Sequence, residues 1–272
     1  MAKVAVAQML SGEDWQANLA QAETLAEEAA EHGAELLLLP ENFAMLDSKA
    51  LIELAKAEKE SQVITGFIAA LANRLNIWII AGSVPLPNNS EDKVFASCLV
   101  FNCEGELTDR YDKIHLFDVD VADTHAAYRE SDFIEHGKEL VVATTPFGNI
   151  GLSICYDLRF PEHYQQLRLG GAEILIVPSA FTYVTGEVHW EVLLRARAIE
   201  TQCYILAANQ GGEHSASRKS WGHSMIIDPW GKVLVEKQKP GPGVIFAELE
   251  VDEILARREA MPIIEHRQKA GF

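Results

Sequence analysis

Short apolar runs alternate with segments of helical period along the whole chain. Residues 4–9 and 36–39 read as strands, the second stopped by Pro40, with an Ala- and Glu-rich amphipathic helix over 13–32 between them. Residues 61–75 read as helix and 77–84 as strand. Residues 94–102 and 106–113 form a predicted hairpin around Glu104-Gly105. Strands follow over 140–146 and 150–155. A helix begins at Pro161, because proline suits a first helical turn. The rest reads as a strand (174–177), a helix (189–202) and strands over 204–208, 223–228, 232–236 and 244–249. A helix after Asp252 leads into a polar tail ending at Phe272, while 115–130 reads as irregular and 211–220 as a polar loop. Continuous apolar strands between helices predict sheet covered on both faces. Tight turns such as Pro229-Trp230-Gly231 predict antiparallel pairing toward the end. The pattern predicts mixed α/β layers in a single domain over 1–272.

Composition narrows the function classes. The chain has 272 residues, 48% hydrophobic and 23% charged, which suits a globular protein and not a disordered one. A net charge of −17 argues against nucleic acid, whose phosphates recruit basic patches. It also means that an anionic substrate would need local cations. The N-terminus lacks the apolar core of a signal peptide, and no run approaches the roughly 20 apolar residues of a membrane span. Cys98, Cys103, Cys155 and Cys203 form no C-x-x-C pair or zinc-spaced cluster, so reduced thiols in the cytoplasm are expected. No nucleotide, flavin or metal signature is present, so no cofactor is expected.

Three polar residues interrupt or end otherwise apolar segments. Glu41 follows LLLLP, Cys155 lies in GNIGLSICYDLRFPE just ahead of a helix, and Lys113 lies in RYDKIHLF. In open α/β sheets the ligand crevice lies beyond the carboxyl ends of strands, which would bring Glu41 and Cys155 together. Each also has an ordinary reading: a cap or solvated loop carboxylate, a small buried hydrophobe, a solvent-facing lysine.

Together they are specific. LLLLPENF, DRYDKIHLFD and GLSICYDLRFPE, in that order, resemble the glutamate, lysine and cysteine segments of the nitrilase superfamily of carbon–nitrogen hydrolases. PSAF at 178–181, HWEVLLRARAIETQCY at 189–204 and GHSMIIDPWG at 222–231 extend the resemblance over nearly the whole chain. It implies a four-layer α-β-β-α sandwich and a homodimer or larger homo-oligomer. It also implies Cys155 as nucleophile, Glu41 as general base and acid, and Lys113 as oxyanion stabiliser, with the Tyr156 backbone N–H as second donor. YRESDF resembles the place of a supporting glutamate, giving Glu130, whose alternative is a solvated loop acid. Asp157, Arg159 and Glu162 are expected to make structural ion pairs around the nucleophile turn. Arg195 and Arg197, two apart on a helix, point in different directions, and one or both are expected to support the site from burial.

Tyr156 after the cysteine, in C-Y-D, departs from the C-W-E of nitrile-cleaving members and from the Asn of N-carbamoyl hydrolases. The segment resembles the amidase branch that includes deaminated glutathione amidase and omega-amidase. That implies a small carboxylate-bearing amide as substrate, a thioester intermediate and released ammonia. Arg218 and Lys219 are then candidates for the substrate carboxylate, and Phe181 and Tyr183 for the pocket wall; solvated loop and plain core are their alternatives. Two other readings stay open. One is a non-catalytic member that binds a metabolite or partner. The other is a papain-like peptidase using His115 or His223 as base.

Overall fold

The computed structural model describes residues 1–46, 50–88, 90, 92–121, 127–215 and 218–271. Strand β1 (Ala2–Gln8) leads to helix α1 (Trp15–Glu31) and strand β2 (Leu36–Leu38). Asp14 caps α1 by accepting from Gln16 N and Ala17 N, a bond set typically worth about 1 kcal/mol. Helices α2 (Leu51–Ser61) and α3 (Thr65–Leu75) precede β3 (Trp78–Pro87), β4 (Val94–Phe101) and β5 (Leu107–Asp112). A short pair, β6 (Asp118–Asp120) and β7 (Ala127–Arg129), follows. Next come β8 (Val142–Thr145), β9 (Gly148–Gly151), α4 (Pro161–Leu169), β10 (Ile174–Ile176), α5 (Tyr183–Thr201) and β11 (Tyr204–Ala207). The hairpin β12 (Gly211–Glu213) and β13 (Lys219–Trp221) precedes β14 (Met225–Ile227), β15 (Val233–Glu236) and β16 (Gly243–Leu249). Helices α6 (Val251–Ala260) and α7 (Ile263–Lys269) end the described chain.

Two six-stranded sheets carry the architecture, in the orders β16-β1-β2-β3-β4-β5 and β15-β14-β11-β10-β9-β8. The middle strands β1-β2-β3 and β9-β10-β11 are parallel, and the flanking pairs are antiparallel. Side chains alternate between the faces of a strand, so apolar residues at every position serve two cores. In the first sheet Ala5, Ala7, Leu37, Leu39, Ile79 and Leu99 pack under α1, α2 and α3. The alternate positions Val4, Val6, Leu36, Leu38, Ile80 and Val100 pack with the second sheet. Tyr164 and Leu167 of α4 and Trp190, Leu194 and Ala198 of α5 cover that sheet's other side. The layers are therefore α-β-β-α, as the resemblance implies. Among the described residues no helix is long and apolar enough to cross a membrane.

Several boundaries differ from the sequence reading. Helix α2 was not expected: Ala50 supplies no side-chain cap, and the break from α3 is made by left-handed Gln62 (φ 49), not by glycine or proline. The buried Glu58 carboxylate accepts from Ile64 N at 2.7 Å and so caps the chain entering α3. Helix α5 starts at Tyr183 rather than 189, through a Val-Thr-Gly stretch that propensity disfavours but packing retains. Strand β9 ends at Gly151, so Cys155 is not on a strand end but on a 3-10 turn over Cys155–Arg159. The expected loops are partly regular: β6 pairs with β7 and β12 with β13, while 122–126 and 216–217 lie outside the described residues. The polar tail is helical through α7, and Phe272 lies outside the described residues.

One glycine decides where the chain leaving β2 can run. A Cβ on Gly82 of β3 would lie 2.1 Å from Leu39 O and 2.5 Å from Pro40 O, both backbone atoms just before Glu41. Gly82→Ala is therefore expected to destabilise the fold by about 1–3 kcal/mol. It should also cut amide turnover about tenfold or more by displacing Glu41. Urea unfolding beside steady-state kinetics checks both; wild-type values in each would remove the constraint.

Candidate active site

Glu41 leaves the first sheet just after β2, where Pro40 ends the ladder. The next residue, Asn42, is left-handed (φ 56) and its N–H donates to Ser83 Oγ at 2.7 Å. Gln210 Nε2 donates to Glu41 O at 3.1 Å, so the turn is held from both sheets. The buried carboxylate accepts from Lys113 Nζ at 2.8 Å on one oxygen and from Ala180 N at 2.7 Å on the other.

Lys113 follows β5 and is almost wholly buried. Its own peptide is fixed by bonds to Ala96 O (3.0 Å) and from Gly137 N (2.7 Å). Its ammonium also donates to both oxygens of Glu130, at 2.8 and 2.9 Å. Glu130 begins a 3-10 turn after β7 and is held by Phe117 N at 2.6 Å. Cys155 heads its own 3-10 turn with φ 47, a left-handed conformation that a side chain rarely adopts. Cys155 N donates to Pro178 O at 2.9 Å and Asp157 N to Ile154 O at 3.1 Å. Among the hydrogen bonds of the described residues, the intervening Tyr156 N–H donates to none. Glu41, Lys113, Glu130, Cys155 and Tyr156 all line one cavity of about 650 Å³.

One buried cation serves two carboxylates, and the ionisation of the cluster follows. Burial alone would lower Lys113, but Glu130, Glu41 and Cys155 outweigh it and hold the ammonium well above the ordinary lysine range. Burial pushes Glu130 up, with Glu41 adding to the rise and Lys113 opposing it. Burial also pushes the Cys155 thiol well up; Glu41 adds by charge and hydrogen bond, against the pull of Lys113 and Ala180 N–H. The resting sulfur is therefore a neutral thiol.

The other sequence candidates separate. Phe181 lines the cavity, and so does Arg218, which donates to Leu46 O at 2.7 Å. Tyr183 and Lys219 do not line it: the ammonium lies 4.3 Å from the Tyr183 ring and 3.4 Å from Glu213. Where ion pairs were expected around the nucleophile turn, Asp157 instead accepts a hydrogen bond from His115 Nδ1–H at 2.7 Å. Arg159 instead lies over the rings of Phe181 (5.2 Å) and Tyr156 (5.9 Å), and no ion pair of Glu162 is seen among the described residues. Arg197 is buried and donates twice to Leu158 O, bracing the nucleophile turn, whereas Arg195 bonds Gly231 O and Glu191 at the surface. Neither His115 nor His223 lines the cavity; His223 pairs with Glu236 at 2.5 Å.

The cavity wall also holds groups the sequence reading did not single out. His214 donates Nδ1–H to Ser11 O at 2.8 Å and accepts from Ser220 Oγ at 3.0 Å. Burial lowers its pKa to about 4, so it is a neutral dipole at pH 7. Thr182 and Thr185, joined at 2.7 Å, also belong to the polar lining. A histidine among polar residues, or threonines opening a helix, has no spacing signature that sequence could have offered.

The carbon-nitrogen hydrolase family matches residues 3–259. A Yersinia enterocolitica protein named deaminated glutathione amidase is 44% identical over 269 residues, covering 98% of this chain and 93% of that one. The crystal structure of the Caenorhabditis elegans NitFhit protein superposes with a TM-score of 0.92 at 38% identity, covering 100% of this chain and 67% of that one. Saccharomyces cerevisiae Nit3, described as a member of branch 10 of the nitrilase superfamily, gives 0.86 at 33% identity, covering 96% and 94%. The chain belongs to the carbon-nitrogen hydrolase family, within the nitrilase superfamily. It is a hydrolase of carbon–nitrogen bonds in small amides.

A neutral resting thiol has a direct kinetic signature. Below its pKa the thiolate fraction grows about tenfold per pH unit. Alkylation of Cys155 by iodoacetamide, followed on its own peptide by mass spectrometry, should still be accelerating at about pH 9. A plateau near neutrality would mean that a thiolate is already formed.

Proposed function

We propose that Cys155 is the nucleophile, Glu41 the proton carrier, and Lys113 with the Tyr156 N–H the oxyanion site, with Glu130 holding Lys113 from its far side. The observation that carries this is the convergence of these groups from separate segments at one cavity. As Sγ bonds the amide carbonyl carbon, its proton passes to Glu41 and the carbonyl electrons move to oxygen. A hydrogen-bond donor aimed at that oxygen is typically worth about 3–4 kcal/mol in the transition state. Glu41 then protonates the departing nitrogen as the C–N bond breaks, leaving a thioester. Water attacks the thioester and gives a proton to Glu41. The C–S bond breaks, sulfur recovers the proton, and a carboxylic acid leaves.

The substrate reading follows the relatives: deaminated glutathione, handled by one hydrolase domain spanning 1–272 in the cytoplasm. The expected release of ammonia does not fit that substrate. Both amide nitrogens of glutathione carry carbon substituents, so cleavage at the former glutamyl amide releases a dipeptide amine. Ammonia release belongs to primary amides such as 2-oxoglutaramate. A carboxylate at either end needs a cation, and Arg218 on the cavity wall is our candidate; Lys219, outside the wall, is set aside.

A substrate panel tests the reading. Deaminated glutathione should be cleaved with at least about tenfold higher kcat/KM than 2-oxoglutaramate, with cysteinylglycine as product and no turnover by Cys155→Ala. Arg218→Ala should raise KM about tenfold, the loss of one charge-assisted contact. The reverse preference would assign an omega-amidase. Silence of the wild type on every amide would favour a non-catalytic binder.

We also propose self-association through α5. Val184, Val188, Val192 and Ile199 recur on one face of this helix and are exposed in the single chain, with Val192 at 67%. A second copy of the same helix fits such a face, because a two-fold contact matches a patch to itself. Sedimentation should give a dimer or larger, and Val188→Glu with Val192→Glu should give the monomer mass; an unchanged mass would move the interface elsewhere.

A further inference from the structure

Lys113 and Cys155 follow strands of different sheets, 42 residues apart in number, and something must fix one against the other. The contacts of Asp157, two residues after Cys155, supply that link. Asp157 is fully buried on the nucleophile turn, and its carboxylate accepts four hydrogen bonds. Oδ2 takes Ile154 N at 2.8 Å, which ties it to its own turn, and Tyr111 Oη–H at 2.7 Å. Oδ1 takes both His115 N at 3.1 Å and His115 Nδ1–H at 2.7 Å. The Tyr111 hydroxyl in turn accepts from Ile114 N at 3.1 Å. Residues 111, 114 and 115, on both sides of Lys113, thus hang on one carboxylate of the nucleophile turn.

We infer that Asp157 is a positioning residue, which through Tyr111 and His115 sets where the Lys113 ammonium stands relative to the Cys155 sulfur. This rests on the catalytic reading above. Hydrogen bonds to a charged group are typically worth about 1.5–3 kcal/mol each, enough for a buried carboxylate to hold two segments in register. The Asp157 carboxyl is held below its ordinary range: burial opposes the charge, but His115, His163, Tyr111 and Ile154 outweigh it. His115, Asp157 and His163 also place ligand-type atoms within 4.8 Å of one another. The Asp157 oxygens there are already engaged by four chain donors, so the trio works as a clamp between segments. The stacked Phe160 ring, 3.7 Å from the His115 ring, holds the imidazole in the plane its bond to Asp157 needs.

The test separates position from folding. Asp157→Asn swaps one acceptor oxygen for an amide that meets donors with donors. His115→Ala removes one arm of the clamp. His115→Asn restores an N–H close to where Nδ1–H stood. Rates are taken per mole of folded protein, the folded fraction of each variant being read from its circular dichroism and its gel-filtration peak, so that unfolded protein does not count. A misplacement of about 1 Å can cost about 100-fold in rate. Asp157→Asn and His115→Ala are therefore expected to lower kcat about tenfold or more with KM within about twofold. His115→Asn should recover to within about threefold of wild type. If Asp157→Asn does not fold, the two His115 variants decide alone. Wild-type kcat in His115→Ala, or an Asn variant as slow as the Ala one, would overturn the inference. Lys113→Met and Cys155→Ala run alongside: turnover by either would strike the catalytic reading itself, whereas their inactivity beside a fully active His115→Ala would strike only the clamp.

Discussion

The Lys113 ammonium, buried between Glu41 and Glu130, is the interaction on which the rest of the site depends. Removing a charge from water costs several kcal/mol unless partners and hydrogen bonds replace the solvent. Here one cation meets two carboxylates at 2.8 Å, so the cluster has no positive charge to spare for a thiolate. Burial first, and the charge of Glu41 second, keep the sulfur protonated against what pull Lys113 retains. In the proposed reaction the proton leaves sulfur for Glu41 while negative charge appears on the substrate oxygen. The summed charge near Lys113 then stays constant, and no charge need be created in a buried place. An arrangement with a preformed thiolate would add a third anion beside one ammonium.

Such a cluster can be assembled only where the chain departs from regular structure. Glu41, Lys113, Cys155 and Phe181 all follow the carboxyl ends of strands or lie in turns beyond them, β2, β5, β9 and β10 respectively. There the backbone is no longer committed to a ladder, and its N–H groups can turn toward a ligand. The left-handed Cys155 is the sharpest case. Side chains in that conformation typically cost about 1–2 kcal/mol, and the fixed bonds to Pro178 O and from Ile154 N to Asp157 oppose relaxation. The two apolar cores supply the rigidity that makes the strain tolerable.

The layers were legible because strands apolar at every position admit one arrangement, burial on both faces, as Leu36 to Leu39 illustrate. The positions of Glu41, Lys113 and Cys155 were legible because each interrupts or ends an apolar run within a motif. What sequence withheld was decided by tertiary contact. Gln62 turns the chain between α2 and α3 in a conformation that glycine usually announces. Tyr183, a candidate for the pocket wall, lies on the surface, because α5 begins six residues early and carries the side chain outward. Asp157 reads as an acid on a turn, and its partners lie over 40 residues upstream.

The strongly acidic composition poses a smaller obstacle to an anionic substrate than the net charge suggests. At physiological ionic strength exposed charges more than about 8 Å apart are largely screened, so −17 spread over the surface is felt weakly inside a cavity. What a bound carboxylate feels is its immediate lining. There Lys113 is matched by its two carboxylates, His214 is neutral because burial keeps it so, and Glu13, Arg129 and Asp132 add charges of both signs. Arg218 also lines the cavity, and a guanidinium is the planar cation whose geometry matches a carboxylate. An acidic exterior and a selective anion site are therefore compatible, provided that the cation is fixed by the wall. The bond from Arg218 to Leu46 O is such a fixture, linking the β12–β13 hairpin to the segment that follows Glu41. If Arg218 holds the substrate carboxylate as proposed, substrate choice turns on a contact between two irregular segments, the part of the fold least constrained by either core.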